Sequence, residues 1–143
     1  MKTTEVVTAV VLHEGKILFL RRSQDVGSYR GMWSCVSGHM EPSDTGPEER
    51  AVRELEEETG IAAEDILRLT YAGRQTVTDR AAGREWIVHI VLCEMRPEWD
   101  GRVELDWENT AYVWSSDVPE DSVPGLPETV KVALAARGGT PSK

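Results

Sequence analysis

The chain has 143 residues, 40% of them hydrophobic, with 25 acidic against 16 basic residues and a net charge of −9. That length supports one domain with a proper core, residues 1–143, and is too short for two. The acidic balance excludes long nucleic acid as a partner, because polymer binding draws on clustered Lys and Arg, whereas a small polyphosphate carried in with metal ions stays compatible.

Residues 5–12, GluValValThrAlaValValLeu, and 16–21, LysIleLeuPheLeuArg, are β-branched or apolar runs separated by HisGluGly, which predicts two strands joined as a hairpin. A polar loop over 23–31 with two glycines leads into a short strand from Met32, MetTrpSerCysValSerGlyHis. Residues 47–59 carry helical spacing. Ser43, Asp44 and Thr45 are candidate N-caps ahead of Pro47, and Gly60 suits the left-handed position that ends a helix.

AlaAlaGluAsp at 62–65 connects to a strand over 66–75, and a polar turn at 78–84 precedes the longest strand candidate, 85–95. Its interior, TrpIleValHisIleValLeuCys, suits a sheet buried on both faces. ProGluTrpAspGly at 97–101 turns the chain, ThrAlaTyrValTrp at 110–114 gives a last strand, and 127–137 closes as an amphipathic helix. Residues 138–143 read as frayed. Strands before and after a central helix, with a second helix behind, predict the α/β class with a mixed sheet between helices.

No window reaches the roughly 18 apolar residues needed to span a bilayer, and the start, MetLysThrThrGluVal, lacks the apolar core of a signal peptide. A cytoplasmic protein with no membrane partner is the expectation. Cys35 and Cys93 lie in apolar runs without zinc-site spacing, which assigns them to packing.

The chemistry concentrates at residues 38–61. On a helix at about 100° per residue, Glu54, Glu57 and Glu58 fall within an arc of roughly 100° beside an apolar stripe of Ala51, Val52, Leu55 and Thr59. The stripe docks the helix while the carboxylates face a cleft. Four glutamates between residues 54 and 58 repel one another, and a bound cation turns that repulsion into attraction. A Glu-rich helix taken alone reads as a solvated face partly neutralised by Arg50 and Arg53; the surrounding residues decide otherwise.

From Gly38 to Ile61 the chain closely resembles the Nudix box, G-x5-E-x7-R-E-U-x-E-E-x-G-U, where U is aliphatic. Arg53, Glu54, Glu57, Glu58 and Gly60, with Leu55 and Ile61, meet every fixed position of its second half. The first half departs from the pattern. Asp44 stands where the family has Glu, and eight residues rather than seven separate it from Arg53, so one residue has been inserted before the helix. Glu41 is an alternative occupant of the first acidic position.

The resemblance implies the Nudix α/β/α sandwich with a mixed central sheet, and a Mg²⁺-dependent hydrolase, Mn²⁺ being an alternative cofactor. It implies cleavage of a diphosphate bond in a nucleoside diphosphate linked to X by water attack on phosphorus. On that reading Glu57 and Glu58 are metal ligands, Glu54 is a third ligand or the general base, and the Ser37 carbonyl also faces the metal. Gly38 would let the chain turn tightly for that carbonyl. Arg53, one turn before Glu57, would orient its carboxylate. Glu108 resembles the late acidic residue of some members, a metal ligand or base, and Ala111 stands where many carry a second acid.

For the substrate, Arg22, with Arg21 and Arg30, could meet phosphates. Trp33 and Trp86, with Tyr29 and Trp107, could stack on a base, and His39 beside Gly38 could contact substrate. No Ser, Cys or His is placed beside the box as a covalent nucleophile. The proline of ADP-ribose pyrophosphatases and the tyrosine of dinucleoside polyphosphate hydrolases, some 15–18 residues beyond the box, are both absent; 76–79 is ThrValThrAsp. Nucleoside triphosphates or another nucleotide derivative stay open, and Cys35 in a packed strand disfavours an isoprenyl diphosphate isomerase. Two other readings are a non-catalytic nucleotide-binding Nudix module, which the intact carboxylates oppose, and an acidic interaction domain. A homodimer is compatible with the resemblance.

Overall fold

A computed structural model describes residues 1–138. The chain runs β1 (Lys2–His13), β2 (Lys16–Arg22), β3 (Trp33–Ser34), β4 (Val36–His39), α1 (Pro47–Thr59), a 3₁₀ turn (Ala63–Asp65), β5 (Ile66–Asp79), β6 (Arg84–Met95), β7 (Asn109–Ser115) and α2 (Leu126–Ala135). The seven strands form one mixed sheet, ordered β3-β2-β1-β6-β5, with β4 beside β1 and β7 beside β2.

Period-two alternation gives the sheet two apolar faces. Val7, Ala9, Val11, Leu18, Leu20, Val91 and Cys93 pack with Ala51 and Leu55 of α1. Val10, Leu12, Ile17, Phe19, Ile90 and Leu92 pack with Leu126, Val130 and Ala133 of α2. The expected sandwich of helix, sheet and helix is therefore present, with β6 buried on both faces as read from its apolar run.

Two features of the sheet position the site. β1 runs parallel to β6 from Lys2↔Arg84 to Leu12↔Glu94, while its other edge is shared: Val6–Ala9 pair antiparallel with β4, and Leu12–His13 with β2. At the end of β2 a register shift between Arg21 and Arg22 sets Arg22 opposite Asn109, the first residue of β7.

Some boundaries differ from the sequence reading. β5, at 14 residues, exceeds the 12 of β6, because its ladder with β6 continues to Asp79↔Arg84 and shortens the predicted turn. The single strand expected from Met32 is split, since β3 pairs with β2 and β4 with β1, leaving Cys35 unpaired at the changeover. α2 stops at Ala135. Of the residues read as frayed, 139–143 lie outside the described ones. Among the described residues no helix is long and apolar enough to cross a membrane.

α1 begins without a side-chain cap. Gly46 is the N-cap residue, and Thr45 instead donates its N–H to Glu49 Oε1 at 2.8 Å. Ser43, Asp44 and Thr45 therefore do not cap the helix; Asp44 is drawn away by Arg50. The other end follows expectation, Gly60 ending α1 at φ 74° with its N–H on the Glu56 carbonyl.

Candidate active site

The buried face of α1 consists of two columns, each stepping by four residues, which stacks side chains on one side of a helix. Ala51, Leu55 and Thr59 enter the core, and Arg50, Glu54 and Glu58 lie beside them, each no more than 8% exposed. Charges are this deeply covered only when partnered. Arg50 donates from Nε and Nη2 to the two oxygens of Asp44, both at 2.9 Å, and from Nη1 to Glu54 Oε2 at 3.2 Å.

Glu58 is less completely satisfied. Its Oε1 accepts from Asn109 Nδ2 at 3.3 Å, and its buried Oε2 has no partner. Burial pushes its carboxyl well above the usual range, and contact with the Glu54 carboxyl and the nearby charges of Glu108 and Asp106 push the same way. Glu108, half-buried, is also raised, first by burial and then by Asp106 and Glu54, while Arg22 partly offsets the rise. Arg22 is pulled down by burial and held up by Glu58 and Glu108; its Nε donates to the Ser28 carbonyl at 2.9 Å.

Gly38 explains the close fit. It lies in β4 and is not among the glycines with positive φ, so the tight turn read for it does not require glycine. Space does. A Cβ here would run into the carboxylate of Glu54, overlapping Cδ and Oε2 and lying 2.6 Å from Oε1.

A cleft of about 430 Å³ opens from this cluster across the sheet. Its polar lining includes Ser37, Gly38, His39, Glu54, Glu57 and Glu108, together with Arg22, and its apolar lining Val77, Trp86, Val88 and Leu126. Glu57 and His39 line it as exposed residues. Tyr29, at φ 51°, fixes the aromatic wall: its hydroxyl donates to Asp79 Oδ2 at 2.7 Å and accepts from Trp86 Nε1 at 3.0 Å. The Arg84 guanidinium lies 4.3 Å from the Trp86 ring centre.

Several expectations are corrected here. Arg53 does not meet Glu57; its side chain is 60% exposed and reaches back to Glu49 at 3.7 Å, because position 53 lies off the buried columns. Trp33 packs against the α2-side core rather than lining the cleft, β3 having turned away to pair with β2. Arg21 and Arg30 brace the 23–31 loop through the carbonyls of Gly31 and Val26, and Trp107 stands exposed, apart from the cleft. Sequence reasoning missed Asn109 and the role of Arg50. The second was visible in principle as an i, i+4 spacing to Glu54, the first only through the β2–β7 register.

The NUDIX domain family model matches residues 2–126. The chain belongs to the Nudix hydrolase family. It is 32% identical over 123 residues to a CTP pyrophosphohydrolase of Escherichia coli (strain K12), covering 86% of this chain and 82% of that one. A MutT NUDIX hydrolase from Burkholderia pseudomallei superposes with a TM-score of 0.70 at 23% identity, over 92% and 98% of the two chains. A bifunctional NMN adenylyltransferase/ADP ribose pyrophosphatase from Francisella tularensis, complexed with AMP and a Mn ion, gives 0.74 at 19% identity, over 95% of this chain and 42% of that one.

The residues of this Nudix hydrolase suit a hard divalent cation. Among the described residues no group of three or more His, Cys, Asp or Glu side chains is gathered as a metal-binding set; the arrangement is a buried carboxylate pair, Glu54 and Glu58, with Glu57 exposed beside it. Mg²⁺ is typically held this way, by one or two carboxylates with substrate phosphate and water completing its shell. The unpartnered buried Oε2 of Glu58 is the oxygen such an ion would satisfy.

Proposed function

We propose that this chain, acting as one domain in the cytoplasm, is a Mg²⁺-dependent pyrophosphohydrolase that cleaves a diphosphate bond of a nucleoside triphosphate or related nucleotide. The observation that carries the reading is the cleft, which joins the carboxylates of Glu54, Glu57 and Glu108 to an aromatic and apolar wall, with the unsatisfied oxygen of Glu58 buried one turn of α1 behind Glu54. The first suits a cation and phosphates, the second a base. The likeness to a CTP pyrophosphohydrolase supports a triphosphate substrate, and the Mn ion in a structural neighbour supports Mn²⁺ as a substitute.

Glu54, Glu58 and the Ser37 carbonyl would hold the cation, with Glu57 reaching it from the cleft. When bound, the cation supplies charge withdrawal from the phosphate oxygens and activation of water. Arg22, half-buried with Glu58 and Glu108 as charge neighbours, would take up phosphate charge, and Trp86, held by Tyr29 and Arg84, would offer a ring to a base. His39, which lines the cleft, would contact the substrate. Water attacks phosphorus, the anhydride P–O bond breaks, and the proton passes to a carboxylate, Glu108 or Glu54. Burial that raises Glu108 also makes it a better proton acceptor near neutrality.

The test is product release from a panel of nucleoside triphosphates with Mg²⁺ or Mn²⁺, run in ¹⁸O-labelled water. The expected result is metal-dependent turnover that places label in one phosphate-bearing product. A phosphorylated protein, label in a carbon–oxygen bond, or no turnover across the panel would overturn it.

A further inference from the structure

The carboxylate pair needs something to keep Glu54 in place, and the obvious candidate by sequence, Arg53, is on the surface paired with Glu49. Arg50 is on the buried column instead, four residues before Glu54 and 8% exposed. We propose that Arg50 is the positioning residue of this site: it ties Glu54 to the loop through Asp44, and so takes over the orienting role that the box pattern suggests for Arg53.

The geometry is that of a fork. Two of its nitrogens are committed to Asp44, at 2.9 Å each, and a third to Glu54 Oε2 at 3.2 Å. Asp44 is itself held by the chain, since its Oδ2 accepts the Glu41 N–H at 2.8 Å. The bidentate pair fixes the plane of the guanidinium, because two parallel bonds leave it no rotation. Nη1 then points at one oxygen of Glu54 and not the other. The same carboxylate also lies against Gly38, where an added Cβ would overlap it. Glu54 is thus clamped between a charged fork and a position where no side chain fits.

The inserted loop residue gives this arrangement its sense. With eight residues between Asp44 and Arg53, the loop carries Asp44 to Arg50, one turn nearer the N-terminus of α1. A lysine at position 50 would keep the charge but not the fork, having one point of contact on a flexible stem.

The inference rests on the hydrolase reading above, and its test separates the two. Mn²⁺ uptake without nucleotide, followed by electron paramagnetic resonance of the free ion, is compared in wild type, Arg50→Lys and Arg50→Met, with melting curves to establish folding. Partners that orient metal ligands typically change affinity or activity by 10–100-fold. The Mn²⁺ Kd of Arg50→Lys is expected to rise about tenfold. With CTP as substrate, kcat should fall by a similar factor while KM stays within about twofold, and excess Mn²⁺ should restore part of the loss. Folded Arg50→Lys and Arg50→Met that bind Mn²⁺ as wild type does would overturn the assignment of Arg50 alone. Wild-type protein that takes up no Mn²⁺ would overturn both readings. Normal Mn²⁺ uptake by wild type with the expected Arg50 shift, but no turnover of any nucleotide, would leave Arg50 in place and remove the hydrolase reading.

Discussion

Gly38 is a glycine for the sake of another residue. Its backbone is ordinary strand, so alanine costs little locally, yet the added methyl group would occupy the space of the Glu54 carboxylate. Glu54 would have to leave, and with it the bond to Arg50. Gly38→Ala is therefore expected to melt within a few degrees of wild type while losing about tenfold or more in turnover, as paired melting and rate measurements would record. Equal loss of stability and activity would mean that β4, rather than Glu54, has been disturbed. Glu58 poses the complementary case: a carboxylate kept in an environment that disfavours its charge, with one oxygen unmatched. Such a group weakens the fold unless a ligand repays the burial.

At the scale of the element, α1 begins in an unusual way. Lacking a side-chain cap, it is anchored by the Asp44–Arg50 pair, which fastens the preceding loop to its first turns. The hydrogen bonds from Arg50 hold the Asp44 carboxyl below the usual carboxylate range. A group whose folded pKa is depressed contributes stability above its unfolded value, roughly 4, and loses it as pH falls through the folded one. Asp44→Asn should accordingly lower the melting temperature at neutral pH, and the gap from wild type should close on acidification below about pH 4. A gap that persists in acid would assign the effect to packing. What the sequence made legible follows the same division between local and distant. The helix, its end at Gly60 and its carboxylates were readable, because 3.6-residue spacing is local. Arg53 and Trp33 were misplaced for want of non-local facts: which column of α1 faces inward, and where the 32–39 segment changes partner. Asn109 depends on a register shift between β2 and β7 that no local pattern encodes.

For the whole molecule, the carboxylate pair sits between the central sheet and α1, so a ligand there acts on global stability. Mg²⁺ at about 100 times its Kd would add about 2.7 kcal/mol, seen as a higher melting temperature. Glu58→Gln, which keeps the shape but removes the charge, should abolish that rise; an unchanged Mg²⁺ effect would place the cation elsewhere. The topology that gathers these residues also sets the order in which they can meet. Arg22, Glu54 and Glu108 come from three distant stretches, and β1 is joined to β6 across 82 residues, as in the Thr3–Glu85 contact. During synthesis, then, β1 emerges first and keeps one edge unpaired until β6 follows, an open template for wrong partners. Closing so long a loop precedes any reward from the contacts it brings. Both edges of β1 must be paired before the cleft has a floor, so a nascent chain stopped before residue 84 would carry the whole carboxylate helix and still lack a site.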